Sequence, residues 1–140
     1  MAALATYLVD KSALARLAHQ EVADLLLRLV RAGLTATTAI VSLEMLYSAR
    51  NLADRDRIQA GLTAHEWLDT DDQDFTRALE VQRQLTAIGK HRAVPLPDLL
   101  IAAIAERHRV TVLHYDADFD LIATITHQPT QWIAPRGSLT

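Results

Sequence analysis

The sequence contains no cysteine, and this absence removes three classes of site at once. Disulfide bridges, thiolate zinc sites and cysteine nucleophiles all depend on the thiol group. The lack of cysteine fits a reducing cytoplasm, although it does not require one. The chemistry of this chain therefore has to be sought among its other side chains.

A strong charge of either sign is also absent. The 140 residues include 14 Lys and Arg and 17 Asp and Glu, which gives a formal net charge of -3. Proteins that hold nucleic acid by bulk electrostatics are strongly basic. If this chain binds nucleic acid, a local site or a bound metal has to do it.

Long apolar runs are missing as well. The opening stretch, MAALATYLVDKS, has no basic segment ahead of its apolar run, and Asp10 interrupts that run. A signal peptide needs such a basic segment, and a membrane span needs about 20 apolar residues. No repeat or low-complexity segment occurs. We therefore expect a soluble protein of the cytoplasm without a membrane segment.

The arrangement of the remaining residues predicts an α/β fold. Half of the 140 residues are hydrophobic, which is enough for the core of one domain. Short β-prone runs alternate with helical spacing, as in a mainly parallel sheet covered on both faces. The predicted strands are Thr6–Val9, Leu34–Ile40, Glu66–Leu68, the run from Val110, and Gln131–Ile133. The predicted helices are Ala13–Ala18, Val22–Val30, Ile40–Leu52, Asp54–His65, Phe75–Ile88, Pro97–His108 and Leu121–Ile125.

Three carboxylates follow the β-prone run that begins at Val110, namely Asp116, Asp118 and Asp120. Negative charges set close together at the end of a buried strand repel one another, so a cation such as Mg2+ or Mn2+ favours the arrangement. The alternative is a polar turn, in which Asp118 or Asp120 caps a helix that begins at Leu121. This stretch by itself leaves both interpretations open.

A second predicted strand, Thr6–Val9, also ends at an acid, Asp10. Because the carboxyl ends of parallel strands open on the same side of a sheet, Asp10 and Asp116 share an edge. Glu44 and Asp98 lie near the starts of predicted helices and can enter from that side. Four oxygen ligands without His or Cys suit a hard octahedral cation, Mg2+ or Mn2+. An exposed helical glutamate and a carboxylate that complements a helix dipole remain the alternatives for Glu44 and Asp98.

The predicted helix Ile40–Leu52 carries Glu44. Its spacing places Leu43, Leu46 and Tyr47 toward the core, with Glu44 near the edge of that face. Glu44 can then face along the sheet instead of into bulk water.

Two charged clusters have simpler interpretations. The acidic stretch Asp69–Asp74 is expected to be a solvated connection in which Asp72 or Asp74 caps the next helix. The densest basic cluster, Lys90–Arg92, lies just before Pro97, which suits the first position of a helix.

Four segments together resemble the PIN domain of the VapC-type toxins. They are LVDKSAL with Asp10 and Ser12, VSLEMLYSAR with Glu44, VPLPDLLIAAIAE with Asp98, and VLHYDADFDLIA with Asp116 and Asp118. The segments occur in the order of the family and at compatible intervals, from Tyr7 to about Pro135.

The resemblance implies a three-layer α/β/α PIN-like domain over residues 1–140 and a Mg2+- or Mn2+-dependent endoribonuclease. It also implies inhibition by a cognate VapB-type antitoxin, an RNA substrate and usually a homodimer. The acidic quartet by matching position is Asp10, Glu44, Asp98 and Asp116. The metal ligands by the same match are Asp10, Asp98, Asp116 and the auxiliary acid Asp118. Ser12 would be a supporting hydroxyl.

One position departs from the family pattern. His114 stands two residues before Asp116, where many relatives have a threonine or serine. Imidazole is larger than a hydroxyl, so the supporting hydrogen bond is open to question, and a buried neutral ring that packs beside the strand is the alternative.

Phosphodiester hydrolysis by metal-activated water follows from this resemblance. An acidic site does not attract RNA by itself, so bound metal and basic residues on the rim must supply positive charge. The candidates, each of which can equally be a solvated surface charge, are Lys11, Arg50, Lys90 and Arg92.

Two rival functions use the same fold class. The first is a PIN-like interaction protein without catalysis, which the intact set of acids disfavours. The second is a phosphotransfer domain like the receiver domains, which pair adjacent acids after the first strand with a lysine after the last. Here Lys11 follows Asp10 directly and no lysine follows Asp116.

Overall fold

The computed structural model describes residues 2–139. Five strands run through this range: β1 Tyr7–Val9, β2 Thr35–Thr38, β3 Glu66–Leu68, β4 Thr111–His114 and β5 Thr130–Trp132. Seven α-helices flank them: α1 Lys11–Leu14, α2 Gln20–Arg31, α3 Ala39–Tyr47, α4 Leu52–Leu62, α5 Asp72–Ala87, α6 Leu96–His108 and α7 Asp118–Thr126. A 3-10 helix, His91–Ala93, precedes α6.

The strands form one sheet in the order β3-β2-β1-β4-β5, and every pairing in it is parallel. Leu8 pairs with Ala36 on one side and with Val112 on the other. The chain therefore builds outward from β1 in one direction and from β4 in the other. The direction of the strand order reverses between β1 and β4, which makes this the switch point of the sheet. In open α/β sheets, a crevice forms at the switch point, outside the carboxyl ends of the strands. The predicted α/β/α fold is confirmed, with a sheet that is parallel throughout the described range.

The core lies on both faces of this sheet. Leu8, Val112 and Leu113 are completely buried in the two central strands, as continuous apolar runs in a parallel sheet should be. Helix α6 is apolar nearly all round, and its residues Ile101 and Ile104 are also fully buried. Strands and helix together fix the position of the first turn of α6 relative to the ends of β1 and β4.

The predicted inward face of α3 is wrong for two of its three residues, since only Leu46 packs against the core. Leu43 is 64% exposed and Tyr47 is 82% exposed, whereas Val41 and Ser42 are buried. This helix is apolar on most of its circumference, so spacing alone did not distinguish the side that packs. Glu44 is half-buried and lines the cleft described below.

The acidic segment before α5 is only partly a solvated connection. Asp71 is the N-cap, because its side chain accepts from the backbone N–H of Gln73, and Asp74 completes a capping box. Asp74 is 1% exposed and accepts from Arg107 Nε at 2.8 Å. The prediction that this segment is solvated is therefore wrong for Asp74, which is buried and forms an ion pair with a residue of α6, 33 positions away.

Candidate active site at the strand ends

Four acidic side chains meet at the carboxyl edge of the sheet. Asp10 follows β1 directly, and Asp116 comes two residues after β4. Glu44 projects from α3, and Asp98 lies in the first turn of α6. All four line one cleft of about 270 Å³. The structure thus brings together the four acids that the sequence singled out, from segments more than a hundred residues apart.

Ser12 connects the two central strands at this cleft. Its backbone N–H and its hydroxyl both donate to Asp10 Oδ2, at 2.9 and 2.6 Å. The same hydroxyl oxygen accepts from the backbone N–H of Tyr115 at 2.9 Å. Ser12 therefore orients the Asp10 carboxylate and ties it to the end of β4.

Asp116 and Asp118 form the turn after β4. Asp116 Oδ1 accepts from the backbone N–H of Asp118 at 2.9 Å, and α7 begins at Asp118, three residues earlier than predicted. Carboxylate oxygens of Asp98, Asp116 and Asp118 all lie within 4.8 Å of one another. Both interpretations of this stretch are thus represented, because Asp116 supports a turn and also belongs to a carboxylate cluster.

Asp120 has a different environment. Its carboxylate accepts from Trp132 Nε1, with the nearer oxygen at 3.0 Å, and it is not part of the carboxylate triad. This hydrogen bond attaches α7 to β5. Of the three acids after β4, Asp120 is the one whose carboxylate binds a side chain of a neighbouring strand.

Burial and mutual repulsion disfavour the charged forms of these acids. The pKa of Asp98 is raised to about 8, first by burial and then by the charges of Asp10, Asp116, Glu44 and Asp118. Burial also raises the pKa of Glu44, with a further contribution from Asp10, while Lys11 acts in the opposite direction. The pKa of Asp118 is raised by burial and by Asp116. The cluster is therefore strained in the absence of a positive charge.

We expect the metal-free protein to lose stability as the pH rises from about 4 to 8. The folded-state pKa of Asp98 is about 8, above the unfolded value of 3.8, so the folded state holds this proton across that window. The free energy of unfolding should fall by on the order of 2–4 kcal/mol from pH 5 to pH 8, as urea titrations in EDTA would measure.

Asp98→Asn is the control for this profile, because it removes the titrating group and should flatten the fall. Asp54, whose pKa is lowered to about 2 by the backbone N–H of Arg50 and the side chain of Arg57, contributes only below about pH 4. A wild-type stability that stayed level or increased across the window would contradict the expected strain.

The donor set fits a hard divalent cation. The cluster offers only carboxylate oxygens, the ligands that Mg2+ and Mn2+ prefer. Asp10 Oδ1 and Glu44 Oε1 are buried and have no hydrogen-bond partner among the described residues. A cation among these groups would satisfy such oxygens and offset the repulsion that raises the pKa of Asp98.

His114 is completely buried, and burial lowers its pKa, as expected for a neutral ring. Its ring packs against Phe119 and Trp132, with centroids 5.2 and 5.1 Å away. His114 Nδ1 also accepts from the backbone N–H of Asp116 at 3.1 Å. The imidazole therefore packs in the core and holds the Asp116 turn at the same time.

The predicted basic residues lie in different surroundings. Lys11 lines the cleft. Arg50 is bound to Asp54 at 3.3 Å. Lys90 and Arg92 are exposed, around the 3-10 helix that leads toward the cleft.

Arg16 is a cleft residue that the sequence analysis missed. Its Nη1 donates to the carbonyl oxygen of Ser12, four residues earlier, at 2.9 Å. Arg16 stands four residues after Ser12 of LVDKSAL, and this spacing is the signal that could have indicated it.

Comparison with known proteins agrees with this fold. The sequence model of the PIN domain matches residues 7–125. Ribonuclease VapC51 of Mycobacterium tuberculosis is 45% identical over 133 residues, which cover 95% of this chain and 96% of that protein. Ribonuclease VapC21 of the same species is 43% identical over 133 residues, covering 94% of this chain and 96% of that protein.

Solved structures are similar in fold at low sequence identity. A DNA-bound VapBC from Salmonella typhimurium matches with a TM-score of 0.78 and 16% identity, over 94% of this chain and 100% of that chain. VapBC2 from Rickettsia felis, bound to a promoter DNA fragment, matches with a TM-score of 0.75 and 18% identity, over 90% and 97% of the two chains. No helix within residues 2–139 is long and apolar enough to cross a membrane.

Proposed function

The chain belongs to the PIN-domain family, and on that premise we propose that it is a metal-dependent endoribonuclease, the toxin of a toxin–antitoxin pair. The observation that carries this proposal is the cleft of converging carboxylates at the switch point between β1 and β4. Relatives at 45% and 43% identity, named VapC ribonucleases, support RNA as the substrate. The site of action would be the cytoplasm.

The carboxylates are proposed to hold Mg2+ or Mn2+. Asp98, Asp116 and Asp118 form the compact part of this site, and Asp10 contributes from the end of β1. A divalent cation bound there supplies Lewis acidity to a phosphate oxygen and lowers the pKa of a coordinated water. This chemistry needs no nucleophilic side chain.

The residues of the chain prepare the cleft for that role. Ser12 holds Asp10 in one orientation through two hydrogen bonds. His114 fixes the backbone of Asp116 from the core side. Asp98, with a metal-free pKa of about 8, must give up its proton when a cation binds, so cation affinity should increase with pH. Glu44 completes the quartet on the wall formed by α3.

A basic antitoxin segment would suit the same cleft. Clustered carboxylates invite an arginine, which forms charge-assisted and often bidentate hydrogen bonds. The names of the structural neighbours are those of VapBC toxin–antitoxin complexes, which supports a VapB-type partner. A homodimer stays a prediction; an apolar groove lined by the exposed Phe75, Leu79 and Leu96 offers surface that a second protein could cover.

Expression of the chain alone should stop bacterial growth, and co-expression with the product of a neighbouring small gene should restore it. Sequencing of RNA ends after brief induction would identify the cleaved RNA. The matched control is Asp116→Asn expressed to the same level, which should be harmless.

A chain that is harmless by itself and forms no complex with that product would contradict the toxin proposal. Calorimetric titration with Mg2+ or Mn2+ addresses the rival interaction protein, which need not bind a metal.

A further inference from the structure

We propose that Arg16 binds a backbone phosphate of the RNA strand in the carboxylate cleft. This inference rests on the proposed ribonuclease function and adds a substrate-binding residue to it. Arg16 lies in the turn after α1, and its side chain lines the cleft together with Asp10, Glu44 and Asp98.

Two contacts fix the guanidinium group in place. Its Nη1 donates to the carbonyl oxygen of Ser12 at 2.9 Å, and its central carbon lies 4.6 Å from the centre of the Tyr115 ring. Both contacts are made to parts of the scaffold that also hold the carboxylates, since the Ser12 hydroxyl bonds Asp10 and the backbone of Tyr115. Arg16 is therefore positioned relative to the acids by the same small set of bonds.

The charge of Arg16 is not neutralised by the acids around it. Within residues 2–139 it forms no salt bridge, although four carboxylates line the same cleft. Other arginines close to acids are paired: Arg77 with Glu106 at 2.7 Å, and Arg107 with Asp74 at 2.8 Å. The Ser12 and Tyr115 contacts hold Arg16 in an arrangement that leaves its charge available.

A phosphodiester is the anion that suits this arrangement. The guanidinium group has five N–H donors in a planar fork, and the Ser12 carbonyl uses one nitrogen of it. The fork matches two oxygens of one phosphate, while stacking on an aromatic ring leaves its edge free. In an acidic cleft, such a group lowers the repulsion that the RNA backbone would otherwise meet.

A purely structural role for Arg16, fastening α1 to Tyr115, makes a different prediction from phosphate binding. Each phosphate contact on single-stranded nucleic acid contributes about 0.7 to the slope of log affinity against log salt. A structural bond changes stability but not this slope. The salt dependence of kcat/KM therefore separates the two roles.

The experiment measures cleavage of a fluorescein-labelled single-stranded RNA at several KCl concentrations and a fixed concentration of Mg2+ or Mn2+. Arg16→Met keeps an apolar stem over Tyr115 but removes the charge. We expect kcat/KM to fall about tenfold, mainly through KM, and the salt slope to become shallower by about 0.7. Arg16→Lys should keep the slope and lose about threefold in kcat/KM, because it has the charge without the fork.

The control is Arg31→Met, which removes the same charge from an exposed residue at the end of α2. Because β2 begins soon after, at Thr35, Arg31 lies near the amino ends of the strands, whereas the cleft lies at their carboxyl ends. It should keep both the wild-type slope and kcat/KM. If Arg16→Met melts well below the wild type, Arg16→Gln, which retains an N–H for the Ser12 carbonyl, takes its place.

An unchanged salt slope in these charge-removing variants would overturn the assignment of Arg16 and leave the ribonuclease proposal intact. Wild-type protein that cleaves no RNA with either metal would overturn the proposed function and this assignment with it.

Discussion

Asp116→Asn is expected to lower the rate of RNA cleavage by about two to three orders of magnitude, the typical loss when one preorganised electrostatic group is removed from an active site. Asn is the informative replacement, because its side-chain oxygen can still accept from the backbone N–H of Asp118. The turn is preserved while one charge of the cluster is removed.

The same substitution should leave the metal-free protein at least as stable as the wild type. Carboxylate oxygens of Asp98, Asp116 and Asp118 lie within 4.8 Å of one another. Two charges at that separation repel by about 3 kcal/mol at an effective dielectric constant near 20, so removing one relieves strain. With a metal-free pKa of about 8, Asp98 is largely protonated at neutral pH, which makes the gain smaller there than above pH 8.

The order of stability of wild type and mutant should reverse when the metal is added. Thermal melts of both proteins in EDTA, and again in millimolar Mg2+ or Mn2+, would measure this reversal. The wild type should gain more from the metal than the mutant, which lacks one ligand. Asp120→Asn is the matched control: the same change four residues later, at a carboxylate bound to Trp132 and outside the triad. It should cost about 1 kcal/mol of stability and leave cleavage unchanged.

A different outcome would assign Asp116 to the turn alone. In that case the mutant melts clearly lower in EDTA, shows the same metal-induced rise and cleaves RNA at the wild-type rate.

Removal of the metal should abolish cleavage altogether. The proposed site offers carboxylate oxygens and no nucleophilic thiol, and the sequence contains no cysteine. Protein treated with EDTA should cleave single-stranded RNA at the background rate, and addition of Mg2+ or Mn2+ should restore the reaction.

Metal binding should also be visible in stability. A ligand at about 100 times its Kd stabilises the folded state by about 2.7 kcal/mol, which corresponds to a rise in Tm of roughly 5–10 °C for a chain of this size. KCl at matched ionic strength is the control, because it screens the carboxylates without bridging them. Cleavage at the full rate in EDTA would show that the metal proposal is wrong.

Local patterns along the chain were sufficient to predict much of the fold. Apolar β-prone runs ending in Asp10 and in the acids after Val110 predicted two buried parallel strands with carboxylates at one edge, and the sheet shows both. The predicted end of the helix Phe75–Ile88 lies one residue beyond the end of α5 at Ala87. Such features depend on residue type and spacing over a few positions, which a single sequence displays directly.

Features that depend on which surfaces meet were not predictable in this way. The prediction of the packed face of α3 was wrong for Leu43 and Tyr47, which are exposed. Because α3 is apolar on most of its circumference, the spacing of its apolar residues does not indicate which side packs. Asp74 looked like a solvated acid because its partner, Arg107, is distant in sequence.

The sequence by itself determined which residue types this protein offers to chemistry: no thiol, acids after two strands, and acids within two helices. Only the tertiary structure decided that Asp120 bonds Trp132, and that Arg16 lines the same cleft as the acids. The physical reason is the order of the strands. Placing β1 beside β4 brings together residues about a hundred positions apart, and no local spacing encodes that contact.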